Sequence, residues 1–265
     1  MSGVTLVWRG FLGALRMHLR LYTLWQARIV TTLAGPAVTA AIAVMVLRAG
    51  AHGPDDYLRV MVGAGLAAMW GSVLGTAMLT LRREREWYGT LALLTAVPTP
   101  LGAIFGGYLV AEAAAGLAGV GVGIGTGWLL LGGKVALAAP AGFAVSLLVA
   151  AVAIAAVALP VMPMVVLAPV LTRWINGLDY PVWVLGGFLF PLALLPGWAR
   201  PLGEAMPVYW ATEALHRAAA GDGPATLAPY WGAALALCLA FLALALAGLR
   251  LAMSRTRRVG ALVSE

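Results

Sequence analysis

Six stretches of this chain are each apolar over about the length of a bilayer-crossing helix, and that feature limits the folds open to it more than any other. A helix needs roughly 20 mostly apolar residues to cross the hydrocarbon layer. Runs of that kind lie near Ile29–Leu47, Val60–Leu81, Ile104–Leu131, Ala138–Val166, Ile175–Leu195 and Tyr230–Leu251. The pattern predicts an all-α integral membrane fold with six transmembrane helices. The third and fourth runs are long enough to tilt, kink or extend past the bilayer. Pro160, Pro163 and Pro169 crowd the end of the fourth. Proline removes a backbone donor and crowds the preceding turn, so a kink or break is expected there.

Bulk composition agrees. Of the 265 residues, 62% are hydrophobic and only 10% charged, with a mean hydropathy of +0.94. A water-soluble domain is nearer half apolar and a quarter charged, and one of this size would have nowhere to hide so much apolar surface. The single cysteine, Cys238, lies inside an apolar run and cannot form an intrachain disulfide. The net charge of +7 would point to nucleic acid in a soluble protein. Here the basic residues cluster at the ends of apolar runs, so membrane lipids and topology account for them and no nucleic acid is expected.

Orientation follows from Lys and Arg. With the N-terminus inside, cytoplasmic segments hold twelve of them: Arg9, Arg16, Arg20, Arg28, Arg82, Arg83, Arg85, Arg173, Arg250, Arg255, Arg257 and Arg258. The outside receives five: Arg48, Arg59, Lys134, Arg200 and Arg217. This positive-inside bias predicts that both termini are cytoplasmic. Arg9, Arg16, Arg20 and Arg28 also interrupt the N-terminus before any long apolar stretch, which argues against a cleavable signal peptide. The bias toward Ala, Gly, Leu and Arg suggests a GC-rich bacterial genome, hence a bacterial plasma membrane.

Ahead of the first run, Val4, Trp8, Phe11, Leu15, Leu19 and Tyr22 recur at three- and four-residue steps. They form one helical stripe, with Arg9, Arg16 and Arg20 about 120° round from it at 100° per residue. Residues 1–28 therefore read as an interfacial amphipathic helix in the membrane plane, the alternative being an ordinary polar lead-in. Residues 29–265 read as the transmembrane domain.

Signs of enzymatic chemistry are sparse. His18, His52 and His216 lie far apart with no HExxH pair, and no GxSxG elbow occurs. Adjacent Asp55 and Asp56 fit a solvated loop. Gly127–Lys134 superficially suggests a phosphate-binding loop, but Trp128 replaces the first required glycine and Val135 the Ser or Thr for magnesium. The chain is not expected to hydrolyse ATP, and no catalytic residue, cofactor or metal is assigned to it. Gly119, Gly121, Gly123, Gly125 and Gly127 form overlapping GxxxG pairs that let another helix come close. Glu112 is the one acid well inside a run. A charge there faces a partner or a watery path by default, so Glu112 serves the translocation pathway, pairs within a dimer, or lies nearer the surface than the run suggests.

The segment between the second and third runs reads Leu81-Arg-Arg-Glu-Arg-Glu-Trp-Tyr-Gly-Thr-Leu-Ala-Leu-Leu-Thr-Ala-Val-Pro98. Alternating charges lead into a stripe of Trp87, Tyr88, Leu91, Leu94 and Val97. That suits either a solvated loop or a short interfacial helix docking a cytoplasmic partner. Glu84-Arg-Glu-Trp-Tyr-Gly-Thr-Leu, followed by Leu93-Leu94 and Pro98, resembles the coupling-helix region of type-2 ATP-binding-cassette exporter permeases. Phe190-Pro-Leu-Ala-Leu-Leu-Pro-Gly-Trp-Ala-Arg-Pro-Leu, then Met206-Pro-Val-Tyr-Trp-Ala-Thr-Glu-Ala-Leu-His-Arg217, resembles the family's second signature, which precedes its last span. Three departures stand out. Ala92 replaces a common second glutamate, His216 intrudes before the arginine, and the glycine usual ahead of the first proline is shifted to Gly186-Gly187.

The resemblance implies a permease subunit of an ATP-driven exporter. Its partners would be a cytoplasmic ATP-binding-cassette ATPase subunit, carrying the ATP and magnesium, and a second permease chain, identical or different. Glu84, Arg85, Glu86, Trp87, Gly89 and Thr90 would couple to the motor. Pro196–Pro229 would form short outer re-entrant helices, with Trp198, Tyr209 and Trp210 as interfacial anchors and Pro207, Tyr209, Glu213 and Arg217 as an outer gate. Glu213 and Arg217, four apart, equally suit simple helix support. A drug or lipid-like amphiphile is the expected cargo. Two other readings stay open: a membrane-embedded lipid-modifying enzyme, and a non-transporting scaffold half of a heterodimer.

Overall fold

In the computed structural model, which describes residues 3–24, 26–48, 54–82, 99–133, 137–167, 177, 179–188 and 191–259, every regular element is helical. Among the described residues ten α-helices occur in this order: α1 (Gly3–Leu24), α2 (Gln26–Arg48), α3 (Pro54–Arg82), α4 (Leu101–Leu130), α5 (Pro140–Ala158), α6 (Val161–Leu167), α7 (Asp179–Leu185), α8 (Arg200–Glu204), α9 (Pro207–Ala220) and α10 (Pro224–Val259). Among the described residues four helical stretches are long and apolar enough to cross a bilayer: Tyr57–Met78, Leu101–Leu130, Pro140–Met164 and Pro224–Ala252. A shorter apolar stretch, Leu33–Arg48, closes α2. The all-helical membrane character expected from the runs is thus present.

Helix α4 is the hub, packed against α1, α2, α3 and α5. Its glycines explain how. Gly116, Gly119, Gly123 and Gly127 are buried along one face. A Cβ on Gly116 would meet the Met69 side chain and one on Gly127 the Met61 side chain, whereas Gly121 and Gly125 have open space around them. On α3, a Cβ at Gly65 would lie 2.9 Å from the Val120 Cα. Pairing of 61 with 127, 65 with 120 and 69 with 116 makes α3 and α4 antiparallel. Close approach is therefore the role of the glycines spaced four apart, and the two between them take no part in it.

The fourth run breaks where its prolines predict. Helix α5 ends at Ala158 and α6 resumes at Val161, because Pro160 has no N–H to donate back along the helix. The fifth run, Ile175–Leu195, departs from expectation: its described residues do not form one continuous helix. Helix α7 stops at Leu185, and the chain turns through Gly186 and Gly187, whose φ is +70°. Gly187 N–H bonds to the Val184 carbonyl at 3.2 Å and Phe188 N–H to the Trp183 carbonyl at 3.1 Å. This is a Schellman closure with glycine at the left-handed position, which any Cβ would strain. Beyond it, Leu192–Leu194 forms a single 3-10 turn.

Two ends of the bundle can be told apart. Arg48 donates to the Leu130 carbonyl, and a Cβ on Gly221 would lie 3.1 Å from that of Ala138, so the ends of α2, α4 and α9 and the start of α5 share one end. Gly10 abuts Thr99, and a Cβ on Gly248 would lie 2.9 Å from Pro163. The start of α4, α6 and the later part of α10 therefore gather at the opposite end, beside α1.

Candidate functional site

The expected motor-coupling residues, Glu84, Arg85, Glu86, Trp87, Gly89 and Thr90, lie outside the described residues. Their flanks are described: Arg82 closes α3, and Thr99 and Pro100 lead into α4 at the α1 end.

Glu112 is 1% exposed, on the middle of α4. Its Oε1 lies 2.9 Å from Nε2 of His18 on α1, a side chain that is also buried. The His18 ring rests 5.1 Å from that of Tyr108, one turn before Glu112. Close packing of the two helices brings the pair together. Gly107 has no side chain, and a Cβ there would sit 2.6 Å from the Phe11 carbonyl and 2.9 Å from the Ala14 Cβ. Backbone therefore lies on backbone, and the next helical turn of each element meets as Glu112 and His18. From Gly10 against Thr99 to His18 against Glu112, α1 follows the first part of α4 over eight of its own residues, about 12 Å at 1.5 Å per residue. The amphipathic helix is thus packed lengthwise on a crossing helix, with Arg9, Arg16 and Arg20 exposed. An unpaired carboxylate at this depth is costly, and an imidazole beside it lowers that cost.

The His18 contact was not anticipated from the sequence, although a signal existed. His18 falls three residues after Leu15 and seven after Phe11, at the edge of the stripe and on the face that carries the buried Ala14. Two further polar contacts between helices were equally unanticipated. Trp70 Nε1 donates to Asp179 Oδ1 at 2.9 Å, linking α3 to α7, and Trp231 Nε1 donates to Ser146 Oγ at 2.9 Å, linking α10 to α5.

The residues expected to form an outer gate do gather, on α9 and its surroundings. Pro207 is buried at the first helical position, where its missing N–H costs nothing. Arg217 Nε donates to Glu213 Oε1 at 3.0 Å, its Nη1 lies 3.6 Å from Asp222 Oδ2, and its guanidinium stands 4.7 Å over the Tyr230 ring. Tyr209 stacks edge-on against Trp210, which reaches Tyr230 in turn. Trp198 is exposed on the neighbouring turn. The opposite face of α9 is buried and apolar except for Thr212 and His216, whose Oγ1 and Nε2 have no hydrogen-bond partner among the described residues. Burial first, and then the Arg59 charge, hold the His216 imidazole down to about 3, so it is neutral at physiological pH. The cluster is a well-tied cap at this end of the bundle, with Arg217 held between two acids.

A cleft of about 1630 Å³ opens between α1, α4, α5 and α10. Its floor is small residues such as Gly102, Gly106, Ala113 and Ala155, and its walls include Phe11 and Leu242. Comparison with protein-family models and with curated proteins returns no match.

Proposed function

We propose that the chain is the transmembrane permease subunit of an ATP-driven exporter, moving a drug or lipid-like amphiphile outward with energy from a separate ATPase subunit. The observation that carries the reading is that α4 is antiparallel to α3 and begins at the end of the bundle where α1 packs, and that the residues joining the two helices in sequence are the charged Glu84–Pro98 segment. A cytoplasmic motor needs such a short, charged connection between adjacent crossing helices. The order of elements lends further support, with an amphipathic lead helix, then crossing helices, then short helices α8 and α9 before the final crossing.

On this reading α2 and the stretch containing α7 supply the first and fifth of six spans. The contact of Pro163 with Gly248 keeps α6 near the α1 end, and Leu185, ending α7, lies beside Gly203 of α8. Two such permeases would face each other across the pathway, and both termini would be cytoplasmic in a bacterial plasma membrane.

The test is to purify the chain in detergent from its native host and assay ATPase activity. A co-purifying ATPase is expected. Glu84→Lys with Glu86→Lys should lower its transport-coupled rate about tenfold, the effect of losing roughly 1.4 kcal/mol at the motor contact. Membrane insertion should be unchanged. A chain that comes out alone, or wild-type coupling in that variant, would overturn the proposal.

A further inference from the structure

We infer that the cleft between α1, α4, α5 and α10 is a binding site for an anionic phospholipid, held by its acyl chains in the cleft and by its headgroup at Arg250. Shape is the first argument. At about 1630 Å³ the cleft exceeds the 300–1,000 Å³ usual for drug-sized ligands. Along α4 it runs from Leu101 to Leu117, sixteen residues or about 24 Å. One leaflet with its headgroup layer measures roughly 20–22 Å, half the full bilayer thickness. The cleft has the length of one lipid.

Chemistry is the second argument, and it has a direction. Apart from the thiol of Cys238, the side chains that line the body of the cleft are Gly, Ala, Leu, Val and aromatic residues. The polar ones, Thr99, Arg250 and Ser254, gather at the end where α1 and the later part of α10 lie. Among the described residues no acid lines it. Arg250 is exposed, and no carboxylate among the described residues pairs with it, in contrast to Arg217 with its two acids. An uncompensated cation at the mouth of an apolar slot between membrane helices selects an anionic headgroup over a zwitterionic one. Trp8, on the same rim, is the side chain type that favours the headgroup level.

This inference does not depend on the exporter reading, since it concerns the flank of one chain and involves no motor. The experiment needs no transport. The full chain is reconstituted in vesicles of phosphatidylglycerol and phosphatidylcholine with a trace of phosphatidylglycerol carrying a photoactivatable acyl chain. Adducts are then mapped by peptide mass spectrometry. They should concentrate on residues 101–117 and 235–250, and be competed by extra phosphatidylglycerol but not by extra phosphatidylcholine. Arg250→Gln should reduce them about fivefold, the weight of one cation at an anionic surface, and Arg250→Lys should preserve them. Ala114→Trp, at an exposed position on the wall, should remove adducts from the cleft alone. Even labelling of all lipid-facing helices, equal competition by both lipids, or unchanged labelling in Arg250→Gln would overturn the site. Chain-to-chain cross-links spanning the cleft would overturn it too, by making a second copy the occupant. If Ala114→Trp fails to fold, the Arg250 pair of variants decides alone.

Discussion

Glu112 and His18 meet where neither could sit alone at low cost, with Tyr108 stacked against the imidazole and α1 drawn in over Gly107. Removing one partner of a buried pair leaves an orphan, whereas replacing both by apolar groups removes the problem. His18→Leu should therefore destabilise the chain by about 3–5 kcal/mol, and His18→Leu with Glu112→Leu should recover most of that loss. Thermal unfolding of detergent-purified variants measures both, and simple additivity of the two single changes would refute the pairing. Half of this was legible in the sequence. Glu112 stood out as a lone acid in an apolar run, but which of three surroundings it met depended on α1 packing lengthwise on α4. Only His18 at the flank of the α1 stripe hinted at that.

Among the elements, α4 shows how far composition can be pressed. Five alternate glycines signalled close packing, but their letters do not say which face turns inward, and the partners on α2 and α3 decide it. Two substitutions on the same helix should then have opposite signs. Gly107→Ala forces a methyl group onto the α1 backbone, which cannot yield like a side-chain tip. It should cost about 1–3 kcal/mol. Gly121→Ala enters open space and should stabilise by up to about 1 kcal/mol through helix propensity. Paired melting curves give the answer, and equal shifts would be inconsistent with the packing. The fifth run was the least legible element. Its apolar composition suits a crossing helix, a buried short helix or a turn equally well, and the Gly186-Gly187 pair with its Schellman closure settled it locally in favour of a stop.

At the scale of the molecule, membrane residence was plain from hydropathy, because no arrangement of so apolar a chain suits water. Sidedness is a separate matter, resting on twelve basic residues against five. It can be read directly, since replacing Cys238, the only cysteine, by Ala leaves a silent background. Cysteines introduced at Ala138 and Gly223, both exposed and at the same end of the bundle, should react with an impermeant maleimide added outside intact cells. Ser254→Cys should react only after permeabilisation. The reverse pattern would invert the topology. Which apolar faces meet lipid and which meet protein was not legible at this scale, since both accept an apolar helix face.

Three of the side-chain hydrogen bonds between helices also carry a schedule for synthesis. His18 is made 94 residues before Glu112, Trp70 109 residues before Asp179, and Ser146 85 residues before Trp231. At about 5–20 residues per second, each early member waits roughly 4–22 s for its mate. The mates emerge in the order 112, 179, 231, so each link can close without waiting for the next. A chain inserted from its N-terminus is thereby tied together behind the point of synthesis, with α1 secured to α4 before α10 exists.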